Sequence, residues 1–155
     1  MGTNSLIIPI YDAAKRLVGW VSRQSEGKKP KYLYSPDFRA SFTLFGEYNI
    51  TERGEVCLTE GPLDTMWLDQ NGYKSLAIFG LNLSKHQESK LAKLPITELI
   101  MCLDRDEPGR RSAKQLYERV KKYFPVSIAR IPEPYKDVQD IRSKTQLQQI
   151  IKNRK

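Results

Sequence analysis

The sequence holds one histidine and two cysteines in 155 residues, too few for a four-ligand zinc site, so a zinc ribbon within this chain is excluded. Long apolar runs are missing as well. No stretch approaches the roughly 18 residues needed to cross a bilayer, and Met1-Gly2-Thr3-Asn4 has neither a charged nor an apolar signal region. The expected compartment is the cytoplasm, with no membrane partner. Cys57 and Cys102 lie inside apolar runs, Val56-Cys57-Leu58 and Met101-Cys102-Leu103, where small buried thiols are common. Neither a disulfide nor a metal role is expected of them, and His86 is expected to be solvated near a helix start.

Acidic residues are in deficit: 18 stand against 26 basic ones, for a net charge of +8. The surplus is +2 over residues 1 to 55, +3 over 56 to 130 and +3 over the last 25. Such a balance suits a polyanionic partner, because lysine and arginine displace the counterions condensed on phosphates. Solubility alone is the plain alternative. The length and a hydrophobic fraction of 39% fit one globular domain, or two lobes around one sheet.

The acids that are present cluster. Glu60-Gly61-Pro62-Leu63-Asp64 follows the apolar run Val56 to Thr59, and Asp104-Arg105-Asp106 follows Leu99 to Leu103. Neighbouring carboxylates repel unless cations neutralise them, so this placement points to a divalent metal, Mg²⁺ or Mn²⁺. Asp104 and Asp106, one residue apart, share a side in extended backbone. Asp64 sits in the first turn of an expected helix, where the helix dipole alone would also favour an acid. Asp137, with Asp140 nearby, follows the last expected strand.

Local patterning predicts a β-hairpin from Leu6 to Tyr11 and Leu17 to Arg23, a loop from Gln24 to Pro30 and a short extended piece from Lys31 to Tyr34. Phe38, Phe42, Leu44 and Phe45 are expected to fasten this segment to the rest. From residue 55 strands and helices alternate. The predicted strands are Val56 to Thr59, Ser75 to Phe79, Glu98 to Leu103 and Val126 to Ile131. The predicted helices are Pro62 to Gln70 with Leu63, Met66, Trp67 and Gln70 on one side, Ser84-capped to about Lys93, Pro108 to Phe124, and a terminal one including Gln146 to Ile151. In the third, Ala113, Leu116, Tyr117, Val120 and Phe124 form the apolar stripe. The expectation is an α/β fold, with a mostly parallel four-stranded sheet flanked by helices and a small amino-terminal β-rich subdomain. The division expected is residues 1–54 and 55–155.

Glu60-Gly61-x-x-Asp64, Asp104-x-Asp106-x-x-Gly109-Arg110 and Lys136-Asp137, in that order and spacing, resemble the Toprim domain of bacterial-type primases, topoisomerases and certain nucleases. Ile8-Pro9-Ile10-Tyr11-Asp12, Arg16 to Trp20, Arg23, Lys31 to Pro36 and Phe45-Gly46 resemble the basic segment that precedes Toprim in bacterial and phage primases. Two positions depart from that family. Gln139 stands where a second aspartate is frequent, and Tyr34 where asparagine is usual.

The resemblance implies primer synthesis on a single-stranded DNA template from ribonucleoside triphosphates. Glu60, Asp104 and Asp106 would be catalytic, with Asp64 and Asp137 completing the metal set, while Arg23, Lys31, Arg105 and Arg110 contact phosphates. For Arg105 and Arg110, pairing on the helix surface is an equal reading. The implied partners are a replicative helicase or separate primase subunits, in a bacterial cell and with a phage-encoded origin as one form. A Toprim nuclease and a non-catalytic DNA-binding or docking module are the competing expectations. A topoisomerase fits less well, since the chain lacks room for the domain bearing its cleaving tyrosine.

Overall fold

The computed structural model describes residues 5–25, 28–105 and 107–155, and for 107–110 the backbone alone. Two sheets organise it. The first is antiparallel, in the order β1-β2-β3, built from β1 (Ser5–Tyr11), β2 (Leu17–Gln24) and β3 (Tyr32–Tyr34). Asp12 closes its hairpin, Oδ1 accepting the backbone N–H groups of Ala14 at 2.9 Å and Arg16 at 3.0 Å.

The second sheet contains β4 (Gly54–Thr59), β5 (Ser75–Ala77), β6 (Ile96–Met101) and β7 (Val126–Ile128), all parallel, in the order β5-β4-β6-β7. Both of its faces are covered, which is why β4 is apolar on consecutive residues rather than alternating ones. On one face Val56, Leu58, Leu76, Leu99 and Met101 pack with Leu91 of α2 (Lys85–Leu91) and with Leu116 and Val120 of α3 (Glu107–Val120). On the other, Cys57, Ile100 and Cys102 meet Leu68 of α1 (Pro62–Gln70) and Leu147 and Ile151 of α4 (Lys144–Lys152). Both cysteines are buried and free, as expected from their apolar surroundings.

The segment between the sheets is fastened to the parallel one. Leu44 and Ile50 enter its core, and Phe45 pairs antiparallel with Ala77, donating its N–H at 2.9 Å and accepting at 3.1 Å. Gly46 makes this approach possible. Its φ is +82° and a Cβ there would stand 2.8 Å from the Ser75 carbonyl oxygen. Gln87, 1% exposed, closes the seam by donating Nε2 to the carbonyls of Ala40, Thr43 and Ile78 at 2.9, 3.0 and 2.9 Å. Phe42 is exposed and stacks on the exposed His86 ring, 3.9 Å between centroids.

Some sequence expectations shift. On α1 the buried residues are Pro62, Asp64, Thr65 and Leu68, while Met66 is 43% exposed and Gln70 exposed. Polar bonding explains the rotation: the Thr65 hydroxyl meets that of Thr59 at 2.8 Å, and Ser75 Oγ donates to the Thr65 carbonyl at 2.9 Å. Strand β5 stops at Ala77 because Phe79 adopts φ 58° and Gly80 φ 143°, turning the chain. Strand β6 begins at Ile96, two residues before the expected Glu98, and β7 ends at Ile128 instead of Ile131. Helix α3 ends at Val120, although Phe124 beyond it remains buried with Leu116 and Val120.

Candidate metal centre

The carboxyl ends of β4, β6 and β7 open onto one edge of the parallel sheet, where ligands bind in open α/β folds. Helix α1 starts immediately after β4, with Gly61 at its N-cap position in extended conformation and Pro62 as its first residue. Asp64 is thereby held in the first turn and only 7% exposed. Asp104 follows β6. Asp137 caps the 3-10 turn Val138–Asp140, its Oδ1 accepting the N–H groups of Gln139 at 3.0 Å and Asp140 at 3.2 Å.

Backbone bonds draw these loops together. The Arg105 N–H donates to the Lys136 carbonyl at 2.9 Å, joining the loop after β6 to the loop after β7. Gly80 donates to the Glu60 carbonyl at 2.9 Å, pinning the end of β4 to the turn after β5. As a result, one carboxylate oxygen each from Asp64, Asp104 and Asp137 lies within 4.8 Å of the others. Hard oxygen donors this close suit Mg²⁺ or Mn²⁺ and do not suit a thiolate-seeking metal.

The electrostatics agree. Burial pushes the Asp64 carboxyl up to about 7, opposed by the Gln139 hydrogen bond and reinforced by the charges of Asp137 and Asp104. Such a group binds a proton near neutrality unless a cation replaces it. Glu60 occupies a different place from the three aspartates, its Oε1 accepting the Asp104 backbone N–H at 3.1 Å. It sets the direction of the chain at Asp104 and stands at the border of the cluster. Asp106 lies outside the described residues, as does the side chain of Arg110.

The expected phosphate contacts divide. Arg23 and Lys31 flank the Tyr32 ring, at 5.2 and 5.8 Å from its centroid, and the Lys31 charge reaches Asp64. Arg23 of β2, Lys31 just before β3 and Tyr32 at the start of β3 therefore form a cationic, aromatic border beside the acids. Arg105 instead pairs with Glu133. Asp140 turns away from the cluster, Oδ2 accepting the Lys136 N–H at 2.8 Å.

Two neighbours were absent from the expected site set. Tyr32 has its phenol pushed up to about 12 by burial, against the pull of Arg23 and with the charges of Asp64 and Asp104 adding to it. The Tyr32 hydroxyl and Asp64 Oδ2 both border Gly61, each 3.6 Å from where a Cβ would stand, an ordinary contact distance. Gln139 donates Nε2 to Asp64 Oδ1 at 2.9 Å. Tyr32, next to Lys31 in the basic segment, was the available sequence signal for the first; for the second it was Gln139 standing where a second aspartate is frequent, although its partner Asp64 lies 75 residues away. Beside Asp104 a cavity of about 610 Å³ opens between α3 and the ends of β6 and β7, walled by Leu103, Tyr117 and Ile131.

Comparison with known proteins agrees with this fold. A family model described as Toprim-like matches residues 57–142. The DNA primase of Thermotoga maritima is 29% identical over 160 residues, covering 96% of this chain and 28% of that protein. The crystal structure of the zinc-binding and RNA polymerase domains of Aquifex aeolicus primase superposes with a TM-score of 0.83 at 28% identity, covering 97% of this chain and 40% of that one. A DnaG primase catalytic domain bound to single-stranded DNA has the same fold, with a TM-score of 0.82 at 23% identity over 97% of this chain and 51% of that one.

Proposed function

The chain belongs to the Toprim-like family, and on that footing we propose that it is the catalytic part of a DNA primase, which joins ribonucleotides on single-stranded DNA. The observation that carries this reading is the convergence of Asp64, Asp104 and Asp137 at the sheet edge, near the cations Arg23 and Lys31. Asp64, Asp104 and Asp137 would hold Mg²⁺ or Mn²⁺, with Glu60 and Asp106 as the further candidate ligands. A metal held there would supply positive charge for lowering the pKa of an attacking hydroxyl and for neutralising a pyrophosphate leaving group.

The protein's own groups bind and orient. Arg23 and Lys31 contact triphosphate or template phosphates, both lying against the Tyr32 ring. Asp104 is kept in register by Glu60 through its backbone N–H. Ribonucleoside triphosphates, a single-stranded template and a replicative helicase or separate primase subunits are the proposed partners, in the cytoplasm. The chain spans 28% of the Thermotoga protein and 40% of the Aquifex primase structure that it matches.

The test is Mn²⁺-dependent incorporation of labelled ribonucleotides on single-stranded templates, with candidate partner proteins present. The wild type is expected to incorporate label, and Asp104→Asn with Asp106→Asn to abolish it while leaving the fold intact. Steep salt-dependent DNA binding without incorporation, unchanged in the double variant, replaces this reading with a docking module. Template cleavage in Mn²⁺ replaces it with a nuclease.

A further inference from the structure

The turn Val138–Asp140 acts on two of the three clustered carboxylates at once. Its backbone N–H groups fix Asp137 through Oδ1, and its Gln139 side chain reaches across to α1 and fixes Asp64 through Oδ1. Val138, 1% exposed, roots the turn among Cys57, Ile100, Ile141 and Leu147. The turn therefore keeps its place by apolar packing and by the Asp137 cap, neither of which needs the Gln139 amide. That amide makes its hydrogen bond to Asp64.

We propose that Gln139 is a positioning residue of the metal centre, its amide orienting the Asp64 carboxylate toward a divalent cation. The inference rests on the metal-centre reading above and goes one step further. A carboxylate has free rotation about its last bond, and three carboxylates within 4.8 Å repel into splayed arrangements unless each is tethered. The amide supplies a donor to one oxygen and leaves the other, together with a second lone pair, for the cation. Being neutral, it supplies that donor without adding a further negative charge beside the buried Asp64. Partners behind metal ligands act in this way generally, and their loss weakens metal binding roughly 10- to 100-fold.

The experiment measures Mn²⁺ affinity by titration calorimetry and thermal stability with EDTA or with saturating Mn²⁺, for wild type, Gln139→Ala and the near-isosteric Gln139→Glu. Gln139→Ala is expected to bind Mn²⁺ about 10- to 100-fold more weakly, with little change in stability in EDTA. Gln139→Glu, which replaces the donor with a charge facing Asp64, is expected to be less stable than wild type in EDTA. It should also gain more stability from Mn²⁺. Unaltered Mn²⁺ affinity in Gln139→Ala, or an equal loss of stability with and without metal, overturns the proposal and makes the contact merely structural. If the wild type itself binds no Mn²⁺, the metal centre fails and this inference with it; tight wild-type binding beside an unaffected Gln139→Ala removes this inference alone.

Discussion

Asp64→Asn should stabilise the metal-free protein, an unusual outcome for a substitution at a buried polar position. The wild-type carboxyl titrates at about 7 in the folded chain against an ordinary value of 3.8, with burial as the main cause and the charges of Asp137 and Asp104 adding to it. Below pH 3.8 both folded and unfolded chains hold the proton, and this group costs nothing. As pH rises toward 7 the unfolded chain releases the proton first, so wild-type stability falls, and it levels off above 7. The full gap corresponds to roughly 4 kcal/mol at pH 8, and less than half of it has accumulated by pH 5. Asparagine carries no such cost, and its Oδ1 can still accept from Gln139. Urea unfolding in EDTA should therefore show Asp64→Asn more stable by roughly 2 to 4 kcal/mol at pH 8, with a smaller advantage at pH 5. Saturating Mg²⁺ should reverse the order by stabilising the wild type alone. A variant less stable than wild type at pH 8 in EDTA, or an advantage that does not vary with pH, would refute the reasoning.

Other expectations concern the scaffold and the surface beside the site. Glu98 is held down to about 2 by Arg154, whose Nε donates to Glu98 Oε1 at 2.8 Å, with Ser127 assisting. This stabilisation is complete above pH 4.5 and vanishes as pH falls through 2, so Arg154→Ala should cost about 1 to 2 kcal/mol at pH 7, after solvent screening, and much less in acid unfolding near pH 2. Gln87→Ala leaves two buried carbonyls and a part-buried one without their shared donor, and chemical denaturation should record a loss of about 2 to 4 kcal/mol. Arg23→Ala and Lys31→Ala should each weaken single-stranded DNA binding. Each should also reduce the slope of log affinity against log salt by about 0.7, whatever the template sequence.

The parallel sheet was legible because its signals are local. Continuous apolar strands, Pro62 after Gly61, Ser84 before a helix and the stripe from Ala113 to Val120 each carry their meaning within a few residues. The Ser84 cap is in fact reciprocal with Gln87. The buried side of α1 was not legible, since apolar periodicity points to Met66 while the contacts made are polar ones by Thr65 and Asp64. Strand ends were missed for a related reason: the chain leaves β5 through a positive φ at Phe79, a residue type with no local preference for it.

At the site, the order and spacing of the acids brought Asp64, Asp104 and Asp137 into consideration, yet their relative standing depends on distant contacts. Asp137 reaches Asp104 through the bond from Arg105 to Lys136, and Glu60 is turned to the backbone of Asp104. Arg105, a cation at an acidic loop, engages Glu133 from 28 residues away. Neither partner choice is encoded in the residues adjacent to it. Gln139, a departure from the family pattern in the sequence, acquires a definite role only when α1 and the turn after β7 are side by side.

The central claim is that Asp64, Asp104 and Asp137 form one divalent-metal centre, and anomalous diffraction from crystals soaked in Mn²⁺ tests it most directly. A manganese peak within coordination distance of carboxylate oxygens from all three residues is the predicted result. A peak elsewhere, or none in this cluster at saturating Mn²⁺, would contradict it.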